Sequence, residues 1–310
     1  MKFSTGHIMK EIGRDADGAI VLEGELLKKY QGYLLSMAAD IIGVFEAEGI
    51  VYHLGGGSCL GAVRHHGFIP WDDDFDINIL GDDFEKFQAA FLSKHADRYT
   101  ISTSSTPGYG RASIKVRLKD SVFRGKEDDD GDDKGFFIDM YRIENTFDNK
   151  CLRYFHGMRC MVYGYLLSCR RLYEKKATIE SLIGSNEEAR RALQNKFRVG
   201  QLFSCVPLHV FAAKTARVYG MCRNSRSKYV CVPSGNKHFF GTVYRREQIT
   251  QTVKMPFERY EWCVPADYDY YLRNLYRDYM VIPEHHEKHI ALELKFPEEM
   301  TDAKTDGGKK

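Results

Sequence analysis

Four aspartates stand within residues 72–76, and a run with the pattern of a buried strand follows them directly. In DFDINI, residues 74–79, polar and apolar side chains alternate, which predicts a strand with Asp74 and Asp76 on its polar face. Carboxylates at this density repel one another unless a positive charge lies among them. Two aspartates on one face form the kind of pair that binds hard divalent cations such as Mg²⁺. For this run taken alone, a solvated acidic surface is the alternative.

A glycine-rich segment, GGGS at residues 55–58, lies between a predicted short strand at 50–54 and a predicted helix at 59–64. Such a turn exposes backbone N–H groups at the positive end of the helix dipole, an arrangement that suits phosphate. An ordinary turn is the alternative for an isolated glycine run. Beside the D-x-D pair, the segment indicates a phosphate subsite next to a metal subsite.

A third carboxylate, Asp139, lies in GFFIDMYRIE, residues 135–144, which has the pattern of another strand. Its apolar neighbours make an unpaired charge costly there. If this strand adjoins the D-x-D strand, three carboxylates converge, and two metal ions roughly 3.5–4 Å apart would serve phosphoryl or nucleotidyl transfer. Asp139 alone could also be a structural hydrogen-bond acceptor. The three features together favour the functional interpretation.

The remaining patterns predict an α/β or α+β fold, a mixed sheet flanked by helices. Apolar residues at three- and four-residue steps predict a helix over 23–48 that ends at Gly49. A helix is expected over 82–95, capped by one of its first two aspartates. The alternating run at 113–119 predicts a further strand that places Lys115 on its polar face.

Beyond residue 150 the chain is expected to be mostly helical, with a break near 184–186 and a hairpin within 237–249. The expected division is a catalytic core over 1–150, a helical or mixed part over 151–297 packed on it, and a disordered tail over 298–310.

Composition excludes some classes of protein. Lys and Arg number 45 against 43 Asp and Glu, so no basic excess indicates a nucleic-acid partner. The eight cysteines include no Cys-x-x-Cys pair, which favours reduced thiols in the cytosol. No apolar run is long enough for a signal peptide or a transmembrane segment. We therefore expect a soluble, cytoplasmic protein.

The segment YHLGGGSCLGAVRHHGFIPWDDDFDINILGDDFEKF, residues 52–87, resembles the signature of the LicD family, which also includes the fukutin-related proteins. The resemblance continues in SIKVRLKDSVF, in GFFIDMYRIE and in VPADYDYYLRNLYRDYMVIPEHHEKH near the end. It implies a nucleotidyltransferase-like fold. It also implies transfer of a phospho-alcohol, often phosphocholine, from a CDP-activated donor to a glycan hydroxyl.

Carried over by position, the resemblance implies roles for particular residues. Asp74, Asp76 and Asp139 would be the catalytic carboxylates and the metal ligands, with Asp139 as metal ligand, general base or both. Lys115 would neutralise charge on the transferring phosphoryl group, or would only be the polar side of a half-exposed strand. The residues implied to hold the donor are Gly56, Gly57, Ser58, Arg64, His65 and Lys115.

Two of these donor residues have alternative roles. Arg64 and His65 would line the donor site or only brace the loop that carries Trp71. Asp72 and Asp73 would shape this loop through hydrogen bonds that orient metal ligands.

The implied cofactor is Mg²⁺ or Mn²⁺, as two ions. CDP-choline is the first expected donor, and the expected acceptor is lipopolysaccharide, teichoic acid or another surface glycan. Two alternatives remain, a nucleotidyltransferase that attaches the nucleoside monophosphate itself and a catalytically inactive module that binds a nucleotide or a glycan. The richness in tyrosine and phenylalanine also suits an aromatic cage around a quaternary ammonium.

The sequence departs from the family pattern at three places. Ser58 replaces a threonine and keeps the hydroxyl, residues 140–144 lack a proline and a final aspartate, and Arg277 replaces a glycine. These changes leave the implied metal ligands untouched, but they leave the identity of the transferred alcohol and of the acceptor undetermined.

Two further motifs are weaker. In HHEKH, His285 and His289 would lie on a polar helix face near the rim of the active site, or form a two-histidine metal pair. The acidic run at 126–135 is expected to be an exposed loop or a mobile flap, since its spacing does not fit an EF-hand.

Overall fold

The computed structural model describes residues 20–125, 134–183, 187–284 and 289–298. Within them lie nine α-helices, which are α1 (Gly24–Glu48), α2 (Gly56–His65), α3 (Phe84–His95), α4 (Lys150–Glu174), α5 (Lys176–Ile183), α6 (Glu187–Leu202), α7 (Leu208–Tyr219), α8 (Arg246–Thr250) and α9 (Tyr268–Tyr276). The strands in the same residues are β1 (Ile20–Leu22), β2 (Tyr52–Leu54), β3 (Asp76–Leu80), β4 (Tyr99–Ser102), β5 (Ile114–Leu118), β6 (Val122–Arg124), β7 (Phe137–Thr146), β8 (Tyr229–Cys231), β9 (Tyr244–Arg245), β10 (Thr252–Phe257), β11 (Tyr260–Pro265), β12 (His289–Ala291) and β13 (Glu293–Lys295).

A mixed sheet of seven strands forms the centre of the fold. Its main path runs β2-β3-β7-β5-β4, and β8 and β9 extend it from β7. The β3–β7 pair is parallel, whereas β2–β3, β5–β7 and β4–β5 are antiparallel. The ten-residue strand β7 pairs through its first half with β5 and through its last three residues with β8.

Alternation of side chains gives this sheet one apolar face, which α1 and α3 cover. Ile77 and Ile79 of β3, Ile138 and Met140 of β7 and Val116 of β5 are all buried there. They join the main hydrophobic core with the apolar stripe of α1. The opposite face carries the polar residues of the same strands, because successive side chains of a strand point to opposite faces.

The helical segment after β7 lies partly outside this core, and later elements of the chain rejoin it. Helices α5 and α6 pack in a small cluster of their own, formed by Ile179, Ile183, Ala189, Leu193 and Phe197. By contrast, Trp262 and Val264 of the β10–β11 hairpin and Leu272 of α9 belong to the main core.

The mixed α/β class expected from the sequence is confirmed. The helix expected over 23–48 is α1, and Gly49 ends it in the left-handed conformation with φ 64°. The D-x-D strand begins at Asp76 rather than at Asp74, since Asp74 lies in the preceding loop. Helix α2 begins at Gly56, so the expected turn at 55–58 is mostly the first turn of the helix.

One local prediction holds in part, since Asp83 stands at the N-cap of α3 as expected, and one was wrong. A 3₁₀ turn, Gly81–Asp83, precedes α3, and the Asp83 side chain makes no capping hydrogen bond. Residues 237–249 contain a 3₁₀ turn, the short strand β9 and part of α8 instead of a hairpin, and the hairpin is formed by β10 and β11.

Other expectations fall outside the described residues. They concern the break at 184–186, most of the acidic run at 126–135, and the tail beyond residue 298. Among the residues that the structure does describe, no helix is both long and apolar enough to cross a bilayer.

Candidate active site

Three ionisable side chains form a row across the polar face of the sheet. Asp76 of β3 lies opposite Asp139 of β7 in parallel register, and Lys115 of β5 lies opposite Asp139 in antiparallel register. Residues paired in this way project from the same face. Nζ of Lys115 lies 3.6 Å from Oδ2 of Asp139. The structure thus brings together two predicted carboxylates and the predicted lysine.

The loop that leads into β3 adds more carboxylates beside this row. Asp76 raises the pKa of Asp74, and Asp72 raises the pKa of both. Helix α1 fixes the loop, because Nε2 of the buried Gln31 donates to the backbone carbonyl of Asp72 over 2.8 Å. The loop is therefore held by a side chain of the core.

The first two residues of α2 are glycines, so the start of the helix faces these carboxylates without intervening side chains. A Cβ atom on Gly57 would lie 2.6 Å from Oδ2 of Asp72, and one on Gly56 would overlap Oδ2 of Asp76. Gly56 also has φ +39°, in the region that favours glycine. The glycines therefore allow carboxylates to approach the positive end of the helix.

The electrostatics of the cluster follow from burial and from like charges. Burial is the main cause that raises the pKa of Asp74 and of Asp76, and the neighbouring carboxylates raise both further. Lys115 lowers the pKa of Asp76. Burial also raises the pKa of Asp72 to about 6, with His289 acting in the opposite direction. Ionisation of all of these groups therefore calls for additional positive charge.

Ser58 connects α2 to the strand of the D-x-D pair. Its buried hydroxyl oxygen accepts a hydrogen bond of 2.8 Å from the backbone N–H of Asp76. The hydroxyl thus fixes Asp76 relative to α2. The role toward phosphate expected for Ser58, Gly56 and Gly57 stays a prediction.

Arg64 and His65 lie at the far end of α2. The Arg64 guanidinium donates to the carbonyl of Tyr279 and to Nε2 of His65, and the His65 ring stands edge-on to Trp71 with centroids 6.1 Å apart. These contacts agree with the bracing alternative, since Arg64 ties α2 to the segment after α9.

Among the described residues, one set of three metal-ligating side chains has its ligand atoms within 4.8 Å of one another, and it consists of Asp72, Asp73 and His289. Nδ1 of His289 contacts Oδ1 of Asp73. Asp74, Asp76 and Asp139 do not form such a set. His289 lies in strand β12, so the expected helix is wrong, but its place beside the acidic loop agrees with the expected rim position. His285 lies outside the described residues.

Tyrosines of α9 complete the site, and the sequence patterns did not single them out. The Tyr271 hydroxyl oxygen accepts from the Gly56 N–H over 3.1 Å and from the Asn78 amide over 3.2 Å. Burial, followed by Asp76, raises the pKa of Tyr276, whose hydroxyl faces Gly56. The only signal for them was the resemblance of this segment to the closing part of the family pattern.

A small cavity of about 80 Å³ opens beside Gly56 and Asp76. Its aromatic lining comes from four tyrosines of β7, β9 and α9, which are Tyr141, Tyr244, Tyr271 and Tyr276. A narrow polar and aromatic cavity therefore adjoins the carboxylates on the side of the glycine turn.

The family model described as LicD/FKTN/FKRP, nucleotidyltransferase domain, matches residues 49–157. This stretch is similar to the LicD-family nucleotidyltransferase domain. This range contains the glycine turn, the acidic loop, Lys115 and Asp139. It ends early in α4, so α5, α6, α7 and the C-terminal tyrosines lie beyond the matched part.

Curated proteins match shorter segments of this chain. It is 35% identical over 78 residues to the lipopolysaccharide cholinephosphotransferase LicD of Haemophilus influenzae, which covers 25% of this chain and 29% of that protein. It is 50% identical over 50 residues to the human ribitol 5-phosphate transferase FKRP, covering 16% of this chain and 10% of that protein. An uncharacterized protein of Rickettsia prowazekii is 34% identical over 89 residues, 27% of this chain and 34% of that protein. The matches thus span far less than two thirds of these relatives.

Proposed function

We propose that the chain is a metal-dependent transferase that moves a phospho-alcohol from a CDP-activated donor to a glycan hydroxyl and releases CMP. The row of Lys115, Asp139 and Asp76 beside the first turn of α2 carries this proposal. Two relatives support the class of reaction, since one is named a cholinephosphotransferase and another a ribitol 5-phosphate transferase.

The carboxylates of the site suit the expected cofactor by their chemistry, although Asp72, Asp73 and His289 are the set whose ligand atoms already lie within 4.8 Å of one another among the described residues. Asp74, Asp76 and Asp139 offer carboxylate oxygens, which are the ligands that Mg²⁺ and Mn²⁺ prefer. Two such ions held by these residues would offset the charge that develops on the transferring phosphoryl group. Neighbouring carboxylates raise the pKa of Asp74 and of Asp76, so a bound cation would favour the ionised form of both.

The side chains have distinct tasks in the proposed reaction. The glycan hydroxyl attacks the phosphorus that bears the alcohol, and the bond from this phosphorus to the bridging oxygen of CMP breaks. Asp139 accepts the hydroxyl proton. Lys115, which is 5% exposed, places its ammonium beside Asp139, where it would offset charge on the phosphoryl oxygens.

Phosphocholine is the first choice for the transferred group. The small cavity beside Gly56 and Asp76 is lined by four tyrosines, and aromatic faces attract quaternary ammonium groups. Ethanolamine phosphate, glycerol phosphate and ribitol phosphate are the competing groups.

The test is incubation of the purified chain with Mg²⁺ and a panel of CDP-choline, CDP-ethanolamine, CDP-glycerol and CDP-ribitol. We expect slow release of CMP from one donor and faster release when lipopolysaccharide or teichoic acid is added. Asp76→Asn should abolish the release, whereas Asp97→Asn, at an exposed position in the turn between α3 and β4, should leave it unchanged.

Product analysis separates the alternatives. CMP found attached to the acceptor would establish nucleotidyl transfer instead. Binding of a CDP-alcohol without any turnover would identify an inactive binding module, and the absence of both binding and turnover for all four donors would refute the proposed donor class.

A further inference from the structure

Helix α4 carries apolar side chains on its outer side as well as on its inner side. Six of those on the outer side are between 37% and 65% exposed, and they are Tyr154, Phe155, Met158, Met161, Val162 and Tyr165. They recur at steps of three and four residues, so they form one stripe along the helix. The inner side is buried through His156, Cys160 and Leu167. A helix that is covered by protein on one side normally shows polar residues on the other, so the exposed stripe calls for an explanation.

Phe240 extends this stripe from a different element. Its ring is 48% exposed and lies 5.7 Å from the Tyr154 ring between centroids, and the Tyr154 ring lies 6.3 Å from that of Phe155. Gly157 allows this approach, because a Cβ atom there would lie 2.6 Å from the Phe240 ring. The six exposed side chains of α4 and Phe240 together are called the α4 face below. Contiguous exposed apolar surface of this kind marks an interaction site.

The α4 face has a basic border. Lys150 and Arg159 are exposed on α4, each one helical turn away from an aromatic residue of the face. Lys237 is exposed in the turn before the ring that extends the stripe. Residues 150–173 and 221–246, which supply the face and its surroundings, contain no Asp or Glu. Apolar surface with a cationic border suits an anionic bilayer, where aromatic rings lie among the headgroups and cations lie near the lipid phosphates.

We infer that the α4 face binds the surface of a membrane that contains anionic lipids. A second copy of the chain would be a poorer occupant, because an isologous dimer brings the same cations toward one another. Anionic lipids instead neutralise these cations, and each cation near the bilayer surface adds to binding. Tyr154 and Phe155 are both more than half exposed, which allows their rings to enter the headgroup region.

The α4 face also borders the candidate active site. A cavity of about 410 Å³ is lined by Asp139 and by Met161 and Tyr165 of the face. A membrane bound at the face would therefore hold its surface glycans beside the carboxylate that is proposed to accept the hydroxyl proton. This consequence rests on the proposed function, whereas binding of the membrane itself does not.

The test is flotation of the purified chain with lipid vesicles, in the absence of donor and acceptor. Vesicles of equal parts phosphatidylglycerol and phosphatidylcholine should bind the chain, and vesicles of phosphatidylcholine alone should bind it much less. Added sodium chloride should weaken the binding, because salt screens exposed charges. Phe155→Gln and Met158→Gln combined should lower the partition coefficient about tenfold or more. Arg159→Gln should lower it about fivefold.

Controls keep the outcomes distinct. Each variant changes an exposed side chain, so thermal unfolding should stay close to that of the wild type. Val253→Gln changes an apolar residue of β10 with similar exposure and should leave vesicle binding unchanged. Wild-type binding by the folded double variant, or equal binding to both kinds of vesicle, would overturn the inference. Self-association that the double variant abolishes, without vesicle binding, would identify a contact between copies and would also overturn it.

Failure of the proposed function gives a different pattern. In that case the wild type neither hydrolyses nor binds any CDP-alcohol, while the vesicle assay still reports on the α4 face. If the proposed function holds, slow hydrolysis of a CDP-alcohol in solution should be unchanged in the variants of Phe155, Met158 and Arg159, because none of these residues lines the cavity with Asp139.

Discussion

Lys115 and Asp139 lie directly opposite each other on adjacent antiparallel strands, with the lysine ammonium 3.6 Å from the carboxylate. The same ammonium lies 3.0 Å from the centroid of the Phe137 ring. The buried lysine is thus held between a carboxylate and an aromatic ring, in the same row across the sheet as Asp76.

Replacement of Lys115 by methionine should therefore affect both stability and activity. Removal of the buried lysine leaves the partly buried Asp139 without this countercharge, at an expected cost of about 3 kcal/mol in the free energy of unfolding. Turnover should fall by about a hundredfold or more. In urea unfolding, Lys115→Met combined with Asp139→Asn should recover most of the lost stability but no activity. A double variant as unstable as the single one would show that the pair is not the cause.

Asp76→Asn should raise stability and at the same time abolish turnover. Burial and neighbouring carboxylates raise the pKa of Asp76, so its ionised form destabilises the folded chain at pH 8. In metal-free buffer the amide should raise the free energy of unfolding by about 1 kcal/mol or more. Turnover should disappear at the same time. A less stable Asp76→Asn chain would mean that the carboxylate contributes contacts that outweigh the repulsion.

Gly57→Ala should damage the site through a single methyl group. Its Cβ would lie 2.6 Å from Oδ2 of Asp72, which would have to move from the first turn of α2. We expect a loss of about 1–3 kcal/mol in unfolding free energy and a marked loss of turnover. Gly43→Ala is the matched control, because a Cβ there meets nothing within 4 Å on α1. That change should stabilise the helix by up to about 1 kcal/mol.

Arg277→Gly should stabilise the chain. Arg277 follows α9 with φ 62° and ψ −111°, a conformation that costs a non-glycine residue roughly 1–3 kcal/mol. The LicD-family pattern has glycine at this place. Because glycine also loses more entropy on folding, we expect a net gain of about 1 kcal/mol in urea unfolding. Arg277→Ala keeps the strain and should show no gain, and equal gains for both changes would exclude the backbone as the cause.

Glu144 should make stability depend on pH. Burial raises the pKa of Glu144 to about 7, and Asp82 adds to this effect while Arg142 opposes it. The folded chain thus holds a proton that the unfolded chain releases near pH 4.5, so the stabilisation is complete below that pH and is lost as pH rises toward 7. The loss should reach roughly 3 kcal/mol at most. Glu144→Gln should flatten the profile, whereas Glu261→Gln, at an exposed position, should leave it sloped.

Local patterns were enough to predict that Asp76, Lys115 and Asp139 lie on strands. Alternation around Asp76, Lys115 and Asp139 placed each of them on a strand, and burial on one face of a sheet fixes the register that aligns them. The start of β3 was predicted two residues early. Asp74 and Phe75 continue the alternation of polar and apolar residues, but they do not belong to the strand.

Contacts between residues far apart in the sequence were not predicted. Tyr271 contacts Gly56, 215 positions away, and Asn78, 193 positions away, and His289 contacts Asp73 across a similar separation. No local period encodes such contacts, since they depend on how the last part of the chain returns to the core. The short strands β4 and β6 were missed for a related reason, because three or four residues show too little alternation.

Strand β8 pairs with the end of β7, although helices α4 to α7 lie between them in the sequence. The helical segment is thus an insertion between neighbouring strands, and both of its ends are anchored on the same sheet. The helices of such an insertion could be replaced in evolution without a change in the strands that carry the carboxylates. Related chains could in this way differ in their helical part while they keep the same central sheet.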